Sequence, residues 1–173
     1  FIISCLKDDL AVNSFFNKFV KTSNFHKNSI IIDHSTISLR QIDLLCKSFK
    51  QRKVKFLDAP ITGGEEGAKK GSLSVMVGGT LSNFIKSKRI ISSYSKNITH
   101  MGKLGSGQLT KFTNQILICG ILYSISEAYL FSKKNNLDQK KIFNAIKNGA
   151  ANSWQFTNRY PTLTKNKVNF GFS

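Results

Sequence analysis

Three short apolar runs constrain this chain more than any other feature: residues 1–6 (FIISCL), 29–33 (SIIID) and 54–58 (VKFLD). Each is too short for a buried helix and suits a strand buried on both faces. Two helical patterns separate them. Asp8 and Asp9 supply carboxylates to start a helix with Leu10, Val12, Phe15, Phe16 and Phe19 on its apolar face, and Ser35 and Thr36 can cap a second one that turns Ile42, Leu45, Cys46 and Phe49 inward. Strand, helix, strand, helix, strand implies parallel strands joined by right-handed crossovers, hence half of a doubly wound parallel sheet. Ligands of such sheets bind beyond the carboxyl ends of the strands, where Leu6, residues 33–36 and residues 58–64 fall. Residues 72–77 (SLSVMV) then alternate as a strand, residues 81–91 carry a helical pattern and residues 97–101 read as one more strand.

Residues 105–134 read as a glycine-led helix of uncommon length. Lys111, Asn114, Gln115 and Ile118 recur at helical spacing, so one cation and two amides project from one face. From Ile116 to Phe131 the remainder is apolar nearly all round, as in a helix buried between two bodies. Ser124, Ser126 and Glu127 interrupt it, leaving it short of the roughly 20 apolar residues of a membrane span. A short helix is expected over residues 137–147, broken by residues 149–154 (GAANSW). Trp154 reads as a packing residue in preference to a substrate contact.

The net charge of +17 raises the question of nucleic acid. Lysines are scattered over every predicted helix surface, without an arginine cluster or interleaved aromatic platform, so the charge reads as compositional habit and no nucleic-acid partner is expected. Cys5, Cys46 and Cys119 are far apart and set among apolar residues, which implies buried free thiols and neither a disulfide nor a metal framework. The sequence starts inside an apolar run and stops just after Phe170, Gly171 and Phe172, and it reads as an internal segment of a soluble, cytoplasmic protein.

Residues 58–79 (DAPITGGEEGAKKGSLSVMVGG) carry the densest chemistry. Gly63 and Gly64 allow close backbone approach and present N–H groups to an anion, with the Thr62 hydroxyl beside them; an ordinary glycine turn is the plainer reading. Gly105, Gly107 and Thr110 mimic a dinucleotide fingerprint, but the third position is threonine and no acid-terminated strand follows. Asp33, His34 and Ser35 adjoin in sequence, which suits a loop better than a catalytic triad.

DAPITGG with GSLSVMVGG, then GSGQLTKFTNQ and a long helix reaching SEA, resembles the 3-hydroxyisobutyrate dehydrogenase family of β-hydroxyacid dehydrogenases across essentially the whole chain. The resemblance implies the second half of a Rossmann-type domain over residues 1–104, then a linking helix and the start of an all-helical domain over residues 105–173. It implies hydride transfer between NAD or NADP and a small β-hydroxy acid or semialdehyde, by a protein that is a dimer or tetramer at full length. By the same resemblance Lys111 is the catalytic lysine. Thr62, Gly63 and Gly64 form the substrate-carboxylate loop, Asn114, Gln115 and Phe172 line the substrate, and Leu6, Lys7 and Thr36 meet the cofactor. Thr62 stands where the family usually has serine, Lys7 where it has proline, and Gln115 where many members have asparagine. The Asn-Gln pair resembles the tartronate-semialdehyde reductase side of the family. A 6-phosphogluconate dehydrogenase-like enzyme ranks second, because Thr113 stands where that branch has histidine. A noncatalytic module derived from the family is opposed by Lys111.

Overall fold

The structure is a computed structural model and describes residues 1–22, 29–50 and 53–165, without the side chains of residues 20–22. It contains two compact units that meet within one helix, the first running from Phe1 to Thr113 and the second from Asn114 onward. Sequence reading places the division at residue 104. In the first two turns of that helix, Gln108 bonds to Asp58 and Ser35, and Lys111 bonds to Ile61.

The first unit is built on a sheet of β1 (Ile2–Ser4), β2 (Ile30–Asp33), β3 (Lys55–Asp58), β4 (Ile61–Thr62), β5 (Leu73–Gly78) and β6 (Ser95–Gly102). β1, β2 and β3 are parallel, with Ile31 opposite both Ile2 and Phe56. The connecting helices are α1 (Asp9–Thr22) and α2 (Leu39–Lys50). Asp8 caps α1 through the Ala11 N–H at 2.7 Å. Ser38, not Ser35 or Thr36, caps α2 through the Gln41 N–H, and Asp9 in turn accepts from the Ser38 N–H at 2.9 Å.

An all-parallel sheet does not form. β3 and β4 lie end to end along one edge of β5, both antiparallel to it, and the Met76 N–H donates to Pro60 O at the joint. The cause is the connection: only residues 63–72, including the short helix α3 (Gly64–Lys69), separate β4 from β5, too few for a crossover, so the chain folds straight back. The next helix, α4 (Leu81–Ile91), is long enough, and β6 returns parallel to β5. Thr80 caps α4 by accepting from the Asn83 N–H.

Alternation sorts the strand residues onto two faces. Ile31 and Phe56 pack with Val12, Phe16, Ile42, Leu45 and Phe49 of α1 and α2, while Ile30, Ile32, Leu57, Val75 and Val77 pack with Phe84 and Ile91 of α4. β1 departs from the expected buried strand. It pairs with β2 alone among the described strands, and Ile3 is 47% exposed.

The second unit holds the remainder of α5 (Ser106–Lys134), α6 (Gln139–Ile146) and α7 (Trp154–Leu163). Its core is Ile125, Phe156 and Tyr160, flanked by Tyr129, Ile142, Phe143 and Ile146. The expected burial of α5 on all sides is absent among the described residues: Ile116, Leu117, Tyr123 and Phe131 are exposed. α5 is long and apolar enough to cross a membrane by length and composition, a test that the core helix of a soluble protein also passes. The reading of buried thiols likewise fails. Cys5 and Cys119 are exposed and Cys46 is half-buried, because the apolar neighbours of Cys5 and Cys119 lie on an edge strand and on uncovered helix surface. Trp154 is 65% exposed at the start of α7, with the Arg159 guanidinium 5.9 Å from its ring.

Candidate active site

Asp58 organises the carboxyl end of the sheet. Its fully buried carboxylate accepts from the Gly105 N–H at 2.8 Å and the Gln108 N–H at 2.9 Å, so it closes the N-terminus of α5. A negative charge there meets the positive end of the helix dipole. Burial pushes the Asp58 carboxyl above the usual carboxylate range, and the Gly105 and Gln108 hydrogen bonds pull it back. The packing requires glycine at Gly107, where a Cβ would stand 2.6 Å from Asp58 O and closer still to Met76 O. This arrangement also disposes of the apparent fingerprint at Gly105 and Gly107: the helix N-terminus that would receive a phosphate is filled by the protein's own carboxylate.

With its start fixed, α5 places Lys111 one turn further on, half-buried, with Nζ donating to Ile61 O at 2.8 Å. Ile61 immediately precedes Thr62, Gly63 and Gly64. Lys111 and that loop are therefore brought together. Burial lowers the Lys111 ammonium below the ordinary lysine range. Gly63 and Gly64 have φ of 130° and 62°, conformations that glycine adopts without strain, and both are exposed. Asn114 and Gln115 belong to the second unit, where the Asn114 Nδ2 donates to Gln115 Oε1 at 3.0 Å. Phe172 lies outside the described residues.

The candidate cofactor positions gather at the ends of β1 and β2. The Leu6 N–H donates to Ser35 Oγ at 2.8 Å, and Ser35 Oγ donates to Asp33 Oδ1 at 2.7 Å. Thr36 is exposed between buried Ser35 and Ile37, whereas the Lys7 side chain points to solvent beside Asp8. His34 is a structural residue. Its ring nitrogens pair with Ala59 O at 2.6 Å and the Tyr94 hydroxyl at 2.8 Å, and burial lowers its pKa. Half-buried Leu6 and projecting Thr36 fit the flat nicotinamide end of a dinucleotide; the described residues supply no comparable cradle for its pyrophosphate.

One further residue of this end of the sheet, Gln108, is not singled out by any motif. It is fully buried, and its side chain holds the backbone on both sides of Thr36. No local signal marks it: in the sequence it is one more polar residue a turn before Lys111, and its partners lie 50 to 73 positions away.

Two family models together match nearly all of the chain: the NAD binding domain of 6-phosphogluconate dehydrogenase over residues 1–102, and the NAD-binding domain of NADP-dependent 3-hydroxyisobutyrate dehydrogenase over residues 105–173. The chain belongs to the 3-hydroxyisobutyrate dehydrogenase family of β-hydroxyacid dehydrogenases. Among its relatives, an uncharacterised oxidoreductase from Shewanella frigidimarina is 40% identical over 86% of the chain and 51% of its own length. The 2-hydroxy-3-oxopropionate reductase of Escherichia coli is 35% identical over 84% of the chain and 50% of its own length. The solved Mycobacterium tuberculosis 3-hydroxyisobutyrate dehydrogenase, crystallised with L-serine, superposes with a TM-score of 0.84 at 25% identity, covering 99% of this chain and 60% of that one. The chain spans about half the length of the curated relatives it matches.

Proposed function

We propose that the protein of which these residues form part is an NAD(P)-dependent oxidoreductase that interconverts a small β-hydroxy acid and its semialdehyde, with Lys111 as general acid and base. The observation that carries this reading is the Lys111 ammonium, half-buried and 2.8 Å from Ile61 O, beside the Thr62-Gly63-Gly64 loop. NAD or NADP would supply the hydride chemistry, with Leu6, Lys7 and Thr36 against its nicotinamide end. As the carbonyl is reduced, negative charge gathers on its oxygen; Lys111 stabilises that charge and hands over a proton, and in the oxidative direction its neutral amine takes the proton back. Thr62 with the Gly63 and Gly64 N–H groups would hold the substrate carboxylate, fixing the carbonyl relative to Lys111. Asn114, Gln115 and Phe172 complete the proposed substrate set. The Asn-Gln pair supports a tartronate-semialdehyde type of substrate, while Thr113 argues against the 6-phosphogluconate branch.

Lys111→Met in the full-length protein tests this reading. The expected result is a loss of about 10²- to 10⁴-fold in kcat, with KM nearly unchanged and cofactor affinity retained. A variant with wild-type kcat on every small β-hydroxy acid and semialdehyde tried would remove Lys111 from the chemistry. The pH profile follows from the lowered lysine pKa. Reduction needs the ammonium, so its kcat holds steady at low pH and falls as pH rises through a value below the ordinary lysine range. Oxidation needs the amine and rises over the same interval.

A further inference from the structure

We propose that Gln108 is a positioning residue that sets the distance between the cofactor-contacting loop at Thr36 and the proton donor Lys111. The inference rests on the roles given to Thr36 and Lys111 above, and it adds what holds them in register. Gln108 is fully buried and committed at every polar atom of its side chain. Its Nε2 donates to Ser35 O at 2.7 Å and its Oε1 accepts from the Ile37 N–H at 3.3 Å, so one planar amide brackets both peptide groups next to Thr36. The Thr36 side chain is left exposed while its backbone is pinned on either side.

The same residue is fixed at its other end. Its backbone N–H donates to Asp58 Oδ2 at 2.9 Å, and Asp58 also receives the Gly105 N–H. Three residues along α5, Lys111 reaches Ile61 O. Gln108 thus ties the start of α5 to the loop after β2 through its side chain and to the end of β3 through its backbone N–H. An amide suits the task because it donates to one carbonyl and accepts from one N–H in a single plane, which a hydroxyl or a carboxylate does not do. Hydride transfer is steep in donor–acceptor geometry, and a shift of about 1 Å can cost on the order of 10² in rate.

The test uses the full-length protein with Gln108→Met, similar in length and lacking both hydrogen bonds. Cofactor Kd from calorimetry, kcat and the pH profile of kcat are measured against wild type and Lys111→Met. Release of the Thr36 loop is expected to weaken NAD(P)H binding about 10-fold and lower kcat about 10- to 100-fold, with the pH midpoint unmoved because Lys111 keeps its own burial. Lys111→Met is expected to keep the wild-type cofactor Kd. Should Gln108→Met fail to fold, Gln108→Asn serves in its place: it keeps an amide but is one methylene too short to reach both partners, and the same two changes are expected. A fall in melting temperature with Kd and kcat unchanged makes Gln108 a packing residue and overturns the proposal, as does a change in either Kd or kcat alone. Wild-type kcat in Lys111→Met refutes the proposed chemistry and with it the register between Thr36 and Lys111, whatever Gln108→Met does; a lowered kcat in Lys111→Met with wild-type Kd and kcat in Gln108→Met overturns the positioning role alone.

Discussion

The two units handle apolar sequence in opposite ways. In the first, Ile30, Ile31 and Ile32 are consecutive and all buried, because successive strand residues face opposite sides of the sheet and helices cover both. In the second, α5 is apolar nearly all round, yet Ile125 is buried whereas Ile116 is 72% exposed and Leu117 63% exposed. A strand needs cover on two faces, and α1, α2 and α4 supply it. A helix apolar around its whole circumference needs cover on all sides, and α6 and α7 pack along one stripe. Consecutive apolar residues thus mark burial in β2, flanked by strands on both sides, and mark it neither in β1, paired on one side among the described strands, nor along α5.

Core truncation probes the contrast most strongly. Leu57→Ala, at a fully buried site between β3 and α4, is expected to cost about 2 to 5 kcal/mol in urea unfolding of the first unit. A cost under about 1 kcal/mol would mean that the sheet core is loosely packed after all. Next comes the polar centre of the second unit, where buried Tyr160 donates to Gln139 Oε1 at 2.7 Å. Tyr160→Phe removes this bond while Ser132 Oγ still donates to Gln139, so a loss of about 1 kcal/mol is expected, read as faster amide exchange across α6 and α7. The smallest change belongs to the exposed side of α5. Leu117→Gln should alter stability by no more than about 0.5 kcal/mol in the chain of residues 1–173, and a larger loss would show that this face is covered.

Where a residue's fate depends on period alone, the sequence was readable. The α4 pattern over residues 81–91 coincides with the helix, and the runs ending at Asp33 and Asp58 coincide with β2 and β3 to within a residue at each end. Two-residue β4 and six-residue α3 are too short to show any period, and without them the reversal of β5 could not be read. α7 was hidden by Pro161, which normally marks the end of a helix but here lies inside its last turn, where it removes one N–H donor and leaves the turn before it intact. At the candidate site, glycines and Lys111 stand out by residue type. Asp58 and Gln108 act through partners 47 to 73 positions away, and nothing local distinguishes them from a strand-end acid and a helix-surface amide.

The hydrogen bond from Lys111 Nζ to Ile61 O has a stereochemical consequence. A backbone carbonyl accepts and never donates, so it can accept from the lysine nitrogen in either state, more strongly from the ammonium than from the amine. The ammonium then keeps two N–H groups for other acceptors; the amine keeps one, together with a lone pair in the direction from which the proton left. The nitrogen stays where it is through a change of charge, and only the occupancy of one of its four tetrahedral directions alters.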